Sequence, residues 1–284
     1  MMLTTTKELL LSAKRGGYAI GAFNIENMEM ALAVIDAAQQ LLAPVIIQTT
    51  PGTIKYGGIP IYAAIVRAAA EKADVPVALH LDHGDSYARA AEAFRYGYTS
   101  LMIDGSKLAF EENIALTKQV VQMAHAAAIP VEAELGTVGG KEDTTVAIGN
   151  AYTDPEQAAE FAQRTNCDSL AVGIGTAHGF YKGVPILDKE RLSAIRAMVS
   201  IPLVLHGASG LSDEEVQDCI RRGICKVNFA TELRAAFTDG VKDVLANKPN
   251  AFDPKVLGRE GMAKVTELVK IRMKVCGCDG KSRR

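Results

Sequence analysis

The run Val77-Ala78-Leu79-His80-Leu81, closed by Asp82-His83, decides how the whole chain is read. A short stretch dominated by aliphatic side chains has the length of a strand buried on both faces, and the polar pair stands where such a strand leaves the core. The same succession recurs outward from it in both directions. Residues 18–23, 45–48, 100–103, 131–133, 169–174, 203–205 and 226–229 are further short runs rich in β-branched and aliphatic residues, which predicts eight strands with 77–81 as the third.

Between these runs, apolar residues fall at helical spacing over 28–42, 61–72, 111–128, 155–164 and 213–222. Capping side chains or a first-turn proline mark the starts at Thr153-Asp154-Pro155 and Ser212-Asp213-Glu214-Glu215. Continuous apolar strands alternating with helices imply a parallel sheet covered on both faces, and eight such units close into a (β/α)8 TIM barrel of the α/β class. Two more helical stretches, 231–245 and 254–275, follow the eighth strand as additional C-terminal helices. An open doubly wound sheet is the competing arrangement, because alternation alone does not prove closure; the strand count favours the barrel. The 284 residues suit one barrel, typically about 250 residues long, so a single domain over 1–284 is expected.

Composition narrows the function. With 48% hydrophobic and 23% charged residues the chain can bury a large core. A net charge of −2 lacks the basic face that nucleic acid requires, and the basic end 281–284 reads as a solvated tail. No apolar run nears the ~20 residues that span a bilayer, and 1–14 lacks a secretory apolar stretch, so the expected compartment is the cytoplasm, with no membrane and no nucleic acid as partners. The five cysteines are odd in number and include no pair of Cys-x-x-Cys units, so buried thiols are expected rather than disulfides or a thiolate metal site.

Barrel sites are built at the C-terminal ends of strands, and polar, chemistry-capable residues gather at that one end of the runs. The runs lead to Asn24, Asp82-His83, Asp104, Glu134, Gly175 to His178, His206 and Asn228. Three neutral imidazoles, His83, His178 and His206, with one open position would make a catalytic zinc site. His125 inside a helix and His80 inside a strand are read as structural, His80 lining the barrel. The turns Gly207-Ala208-Ser209-Gly210 and Asn228-Phe229-Ala230-Thr231 each precede a helix, where backbone N–H groups can face an anion. The glycine- and charge-rich segment 136–150 reads as a loop without structure of its own, a length usually functional or mobile.

Taken in order, Leu79-His80-Leu81-Asp82-His83, Met102-Ile103-Asp104-Gly105-Ser106, Val131-Glu132-Ala133-Glu134-Leu135-Gly136, Gly175-Thr176-Ala177-His178-Gly179, Leu205-His206-Gly207-Ala208-Ser209-Gly210 and Lys226-Val227-Asn228 resemble the class II ketose-bisphosphate aldolase family, and most its tagatose-1,6-bisphosphate branch. The match runs over nearly the whole chain. The resemblance implies Zn2+ held by His83, His178 and His206, with Asp82 exchanging a proton with the C4 oxygen of the sugar. Asp104 and Glu134 match acidic residues near the metal, either supporting it or offering a second position. Gly179, Gly207, Ala208, Ser209, Asn228, Phe229, Ala230 and Thr231 match contacts to dihydroxyacetone phosphate, with a monovalent cation near the phosphate. Asn24 joins the substrate-binding candidates, and Asn228 is a catalytic candidate as well as a substrate-binding one. Glu142, in Gly139-Gly140-Lys141-Glu142-Asp143, matches the mobile-loop carboxylate that moves the triose proton.

Arg259 matches an arginine that reaches the distal phosphate of a neighbouring subunit's substrate, so a homodimer or homotetramer is implied, and the tagatose branch is associated with a non-catalytic partner subunit. The implied substrate and products are a ketose bisphosphate, dihydroxyacetone phosphate and glyceraldehyde 3-phosphate. Ala230 stands where fructose-specific relatives often carry a polar residue, whereas Gly84-Asp85 after the Asp-His pair, and Glu26 where the tagatose branch tends to have histidine, depart from that branch. Sugar identity is therefore open. Two rival readings remain at this level: a Schiff-base aldolase, for which Lys226, the only lysine in a predicted strand, lies at the wrong end, and a non-catalytic phosphosugar-binding subunit.

Overall fold

The computed structural model describes residues 3–142, 145–147, 152–181 and 183–282, and at 141–142 and 145–147 the backbone alone. Its strands are β1 (Ile20–Asn24), β2 (Val45–Thr49), β3 (Val77–Gly84), β4 (Ser100–Ile103), β5 (Val131–Leu135), β6 (Gly139–Glu142), β7 (Thr145–Ala147), β8 (Ser169–Val172), β9 (Ala177–His178), β10 (Leu203–Leu205) and β11 (Ile224–Phe229). The helices are α1 (Thr6–Gly16), α2 (Met28–Leu41), α3 (Pro51–Gly57), α4 (Ile59–Ala70), α5 (Tyr87–Arg95), α6 (Phe110–His125), α7 (Pro155–Thr165), α8 (Lys189–Met198), α9 (Asp213–Arg221), α10 (Thr231–Asn247) and α11 (Pro254–Cys276).

Eight parallel strands close in the order β1-β11-β10-β8-β5-β4-β3-β2. Closure is explicit because β1 pairs with β11 on one side and β2 on the other, which removes the open-sheet alternative. Residues of β1, β2, β4, β5, β8, β10 and β11 are buried throughout, as strands with helices outside and filled space inside must be. Phe23 and Phe229 stack at 5.6 Å between the neighbouring ends of β1 and β11. Below, α1 closes the barrel floor, with the Thr6 hydroxyl 2.8 Å from that of Ser100.

The eight expected barrel strands are present, and so are both C-terminal helices. The Asp154 carboxylate and Ser212 hydroxyl accept N-cap hydrogen bonds as the sequence predicted. Segment 136–150 differs from expectation. Rather than lacking structure it contains the antiparallel pair β6 and β7, and β6 also pairs in parallel with β9. Sequence missed these strands because they are only two to four residues long. Of the basic end, Lys281 is exposed with its ammonium over the Tyr18 ring and the Ser282 N–H donates to the Leu42 carbonyl, while 283–284 lie outside the described residues. All five cysteines are buried and free. No helix among the described residues is long and apolar enough to cross a membrane.

Candidate active site

Consecutive residues of a regular strand point to opposite faces, so Asp82 and His83 can share one site only if the strand is distorted between them. The pairing of β3 with β4 shifts between Leu81 and Gly84, and His83 takes φ 48°, a conformation uncommon outside glycine. That local irregularity brings both side chains to the barrel mouth. Strain at a position already suspected from its chemistry is a mark of a functional site.

His83, His178 and His206 converge there. Ring centroids lie 4.6 Å apart for His83 and His206, 5.2 Å for His83 and His178, and 6.2 Å for His178 and His206, and their ring nitrogens approach closely enough to share one metal ion. His83, Asp104 and Glu134 form a second grouping of the same kind. His178 owes its position to β9, held against β6 through the Gly140 to His178 register. A side chain at Gly140 would strike the His178 carbonyl, so only glycine permits this approach.

Hydrogen bonds set the tautomers. The His83 Nδ1–H donates to Asp104 Oδ2 at 2.8 Å, which leaves Nε2 as the basic nitrogen. The His206 Nε2–H donates to Glu132 Oε1 at 3.0 Å, while Nδ1 is buried without a hydrogen bond, 3.4 Å from Glu134 Oε2. Burial works against a charge on His206, but Glu132 and Glu134 outweigh it and raise the imidazole to about 9. A metal entering here displaces that proton. Burial, reinforced by Asp104, pushes the Glu134 carboxyl up. Three converging imidazoles, two of them oriented by carboxylates and one of these buried with a ring nitrogen that makes no hydrogen bond, fit zinc.

Glu132 is the residue that sequence reading overlooked. Burial would raise its pKa, but the Lys226 ammonium at 2.8 Å holds the carboxylate ionised, well below its usual range. Lys226, His80 and His206 are fully buried and Glu132 nearly so, and His80 Nε2 lies 3.3 Å from Lys226 Nζ. Such a buried pair persists only when its remaining hydrogen bonds are made, and one of them is to His206. The available signal was a glutamate and a lysine inside otherwise apolar runs, charges whose burial is costly unless they are paired. Lys226 is thus committed inside the barrel, which counts against a Schiff-base role. His125 sits away from the mouth, 2.7 Å from Asp168 at the start of β8.

Asp82 is 1% exposed and accepts from Asn24 Nδ2 at 2.8 Å and from Asn228 Nδ2 at 3.1 Å. Gln48 Nε2 in turn donates to Asn24 Oδ1 at 2.8 Å. Two amide donors hold an acceptor-only carboxylate in one orientation. Asn24 is therefore tied to Asp82, and Asn228 keeps a buried Oδ1 with no protein partner.

The two candidate anion turns are adjacent. The Ala230 N–H donates to Ser209 Oγ at 3.3 Å. The Tyr181 hydroxyl donates to the Gly207 carbonyl at 2.7 Å while accepting from the Ala177 N–H at 2.9 Å, so one side chain ties the strand of His178 to the turn after His206. Gly207 has φ 68°, and a side chain there would meet the Ala177 backbone. Ala208 and Phe229 are buried, leaving their backbones as what they can offer a ligand. Gly179 follows His178 at φ 91°, and Thr231 opens α10.

A cavity of about 720 Å³ opens beside His83 and His178. Arg259 is exposed on α11 and does not line it; the single chain does not bring this residue to the site. Glu142 ends β6 opposite Thr145, and its side chain lies outside the described residues.

Residues 4–281 match the family model described as fructose-bisphosphate aldolase class-II. The chain is similar to the YdjI aldolase from Escherichia coli K12, with 42% identity over 99% of this chain and 100% of that one and a TM-score of 0.89. A Coccidioides immitis protein proposed to be a fructose-1,6-biphosphate aldolase shares 32% identity over 97% and 96% of the two chains, with a TM-score of 0.88. Fructose-bisphosphate aldolase from Campylobacter jejuni shares 26% over 99% and 97%, with a TM-score of 0.84.

Proposed function

This chain belongs to the class II fructose-bisphosphate aldolase family, and from that premise we propose that it cleaves a ketose 1,6-bisphosphate reversibly between C3 and C4, with tagatose 1,6-bisphosphate preferred and fructose 1,6-bisphosphate also accepted. The products are dihydroxyacetone phosphate and glyceraldehyde 3-phosphate. The observation that carries this reading is the convergence of three histidines and a buried, doubly held aspartate on one rim of the barrel. His83, His178 and His206 would hold zinc, which supplies Lewis-acid stabilisation of negative charge building on the triose fragment.

The chain's own groups do the rest. Asp82 takes the C4 hydroxyl proton as the C3–C4 bond breaks; the electron pair remains with the triose fragment as an enediolate, and Glu142, as acid, protonates C3. Condensation reverses both transfers. Asn24 and Asn228 keep Asp82 aimed. Backbone N–H groups of Gly179, Gly207 to Ser209 and Asn228 to Thr231 receive the triose phosphate near the start of α10, with a monovalent cation beside it. Arg259 acts across the interface of a homodimer or homotetramer, and the setting is cytoplasmic.

These assignments carry three expected outcomes. Glu132→Gln keeps the side-chain size but removes the charge that orients His206, so zinc affinity is expected to fall about 10- to 100-fold in a chelator competition; unchanged affinity would free His206 from Glu132. Glu142→Ala should suppress tritium exchange between water and dihydroxyacetone phosphate while retaining its binding, and normal exchange would move that proton to another group. The reading as a whole is tested by kcat/KM for the two purified epimers. Since the sugars differ only at C4, tenfold discrimination needs only about 1.4 kcal/mol. Tagatose 1,6-bisphosphate is expected to be ahead, and a clear preference for its epimer would show that Ala230 was the wrong guide.

A further inference from the structure

The barrel order puts the two halves of the substrate on opposite sides of the mouth. In the closed ring, β10 lies opposite β3 and β11 opposite β4. The turns proposed for the triose phosphate come after β10 and β11, while Asp82 and His83 end β3. The cavity beside His83 runs toward the segments after β2, β3 and β4 and includes none of residues 207–209 or 228–231. It therefore belongs to the aldehyde half.

Three cations line this cavity: Lys55 on α3, Arg89 on α5 and Lys107 after β4. Arg89 is committed to Asp85, with Nε and Nη2 donating at 2.7 and 3.2 Å. Of the carboxylates on the same wall, Asp85 is thus neutralised, Asp104 is hydrogen-bonded to His83, Glu134 lies among the metal-site histidines, and Glu92 is exposed. Among the described residues no hydrogen bond or ion pair engages the side chains of Lys55 and Lys107. They flank, on the β2 and β4 sides, the strand that carries Asp82.

We infer that Lys55 and Lys107 form, within one chain, the recognition site for the anionic terminus of the aldehyde half, the end of the substrate remote from the triose phosphate. The inference rests on the aldol reading above and adds to it a charge-selecting pair in the same subunit as the metal site. An ammonium group is suited to this task because it contacts phosphate oxygens as a mobile point charge and needs no fixed fork geometry.

The test is condensation of dihydroxyacetone phosphate with glyceraldehyde 3-phosphate or with uncharged glyceraldehyde, using zinc-loaded wild type, Lys55→Gln, Lys107→Gln and the double variant. The double variant is expected to lose about ten- to hundredfold in kcat/KM for the phosphorylated aldehyde, the scale of hydrogen bonds to charged groups, and at least tenfold less for the uncharged one. Lys55→Arg with Lys107→Arg, which restores charge, is expected to recover most of that loss. Equal losses on both aldehydes, no loss on the phosphorylated one, or charge discrimination that disappears only in Arg259→Ala would overturn the pair while leaving the aldol reading intact. Wild type that condenses neither aldehyde would overturn the reading and the pair together.

Discussion

His206→Ala is expected to lose stoichiometric zinc and, with it, ketose-bisphosphate cleavage. The ring is wholly buried, its Nε2–H is committed to Glu132 and its Nδ1 is the nitrogen left to face the other two histidines. Removing the ring takes away a ligand outright, so the loss in zinc affinity should exceed the roughly hundredfold that marks the upper range for supporting partners. Glu132 keeps its ion pair with Lys226, so the fold is expected to survive, and a thermal unfolding curve serves as the control. His83→Ala and His178→Ala should behave alike. A variant with normal zinc content and normal turnover would remove that histidine from the ligand set.

Asp82→Ala should separate proton transfer from metal binding. Its carboxylate faces Asn24 and Asn228 and belongs to neither of the two metal-capable groupings, so zinc content is expected to stay at the wild-type level. Cleavage should fall about 10² to 10⁴-fold, the usual scale for a general acid or base. Alanine also strands two buried amides, at about 1–3 kcal/mol each, and Asp82→Asn, which keeps the shape, checks that the loss is chemical rather than structural. Cleavage left unaltered in Asp82→Asn would refute the role.

The barrel was legible because its strands are covered on both faces and therefore read as uninterrupted apolar runs, each ending where chemistry begins. Helices α1, α3, α5 and α8 were not; α9, no longer than α5, was read because Ser212-Asp213-Glu214-Glu215 marks its start. At the site, the strand-end positions pointed to His83, His178 and His206, which the structure brings together, and to Asp82, which it buries against two amides. What sequence could not show was how they are aimed: the shift in β3 that turns Asp82 and His83 to one side, the short β9 under His178, and the Glu132–Lys226 pair behind His206 all depend on contacts between segments 19 to 94 residues apart. The hydrogen bond from Asn24 to Asp82 was hidden for the same reason, because the two lie two strands apart around the barrel.

The central claim is that cleavage runs through the histidine-held metal and not through a lysine. It is tested most directly by assaying bisphosphate cleavage before and after chelation, after return of one equivalent of zinc, and after borohydride treatment with substrate present. The account predicts activity that disappears on chelation, returns with zinc and is untouched by borohydride. Full activity after chelation, together with covalent inactivation by borohydride, would contradict it.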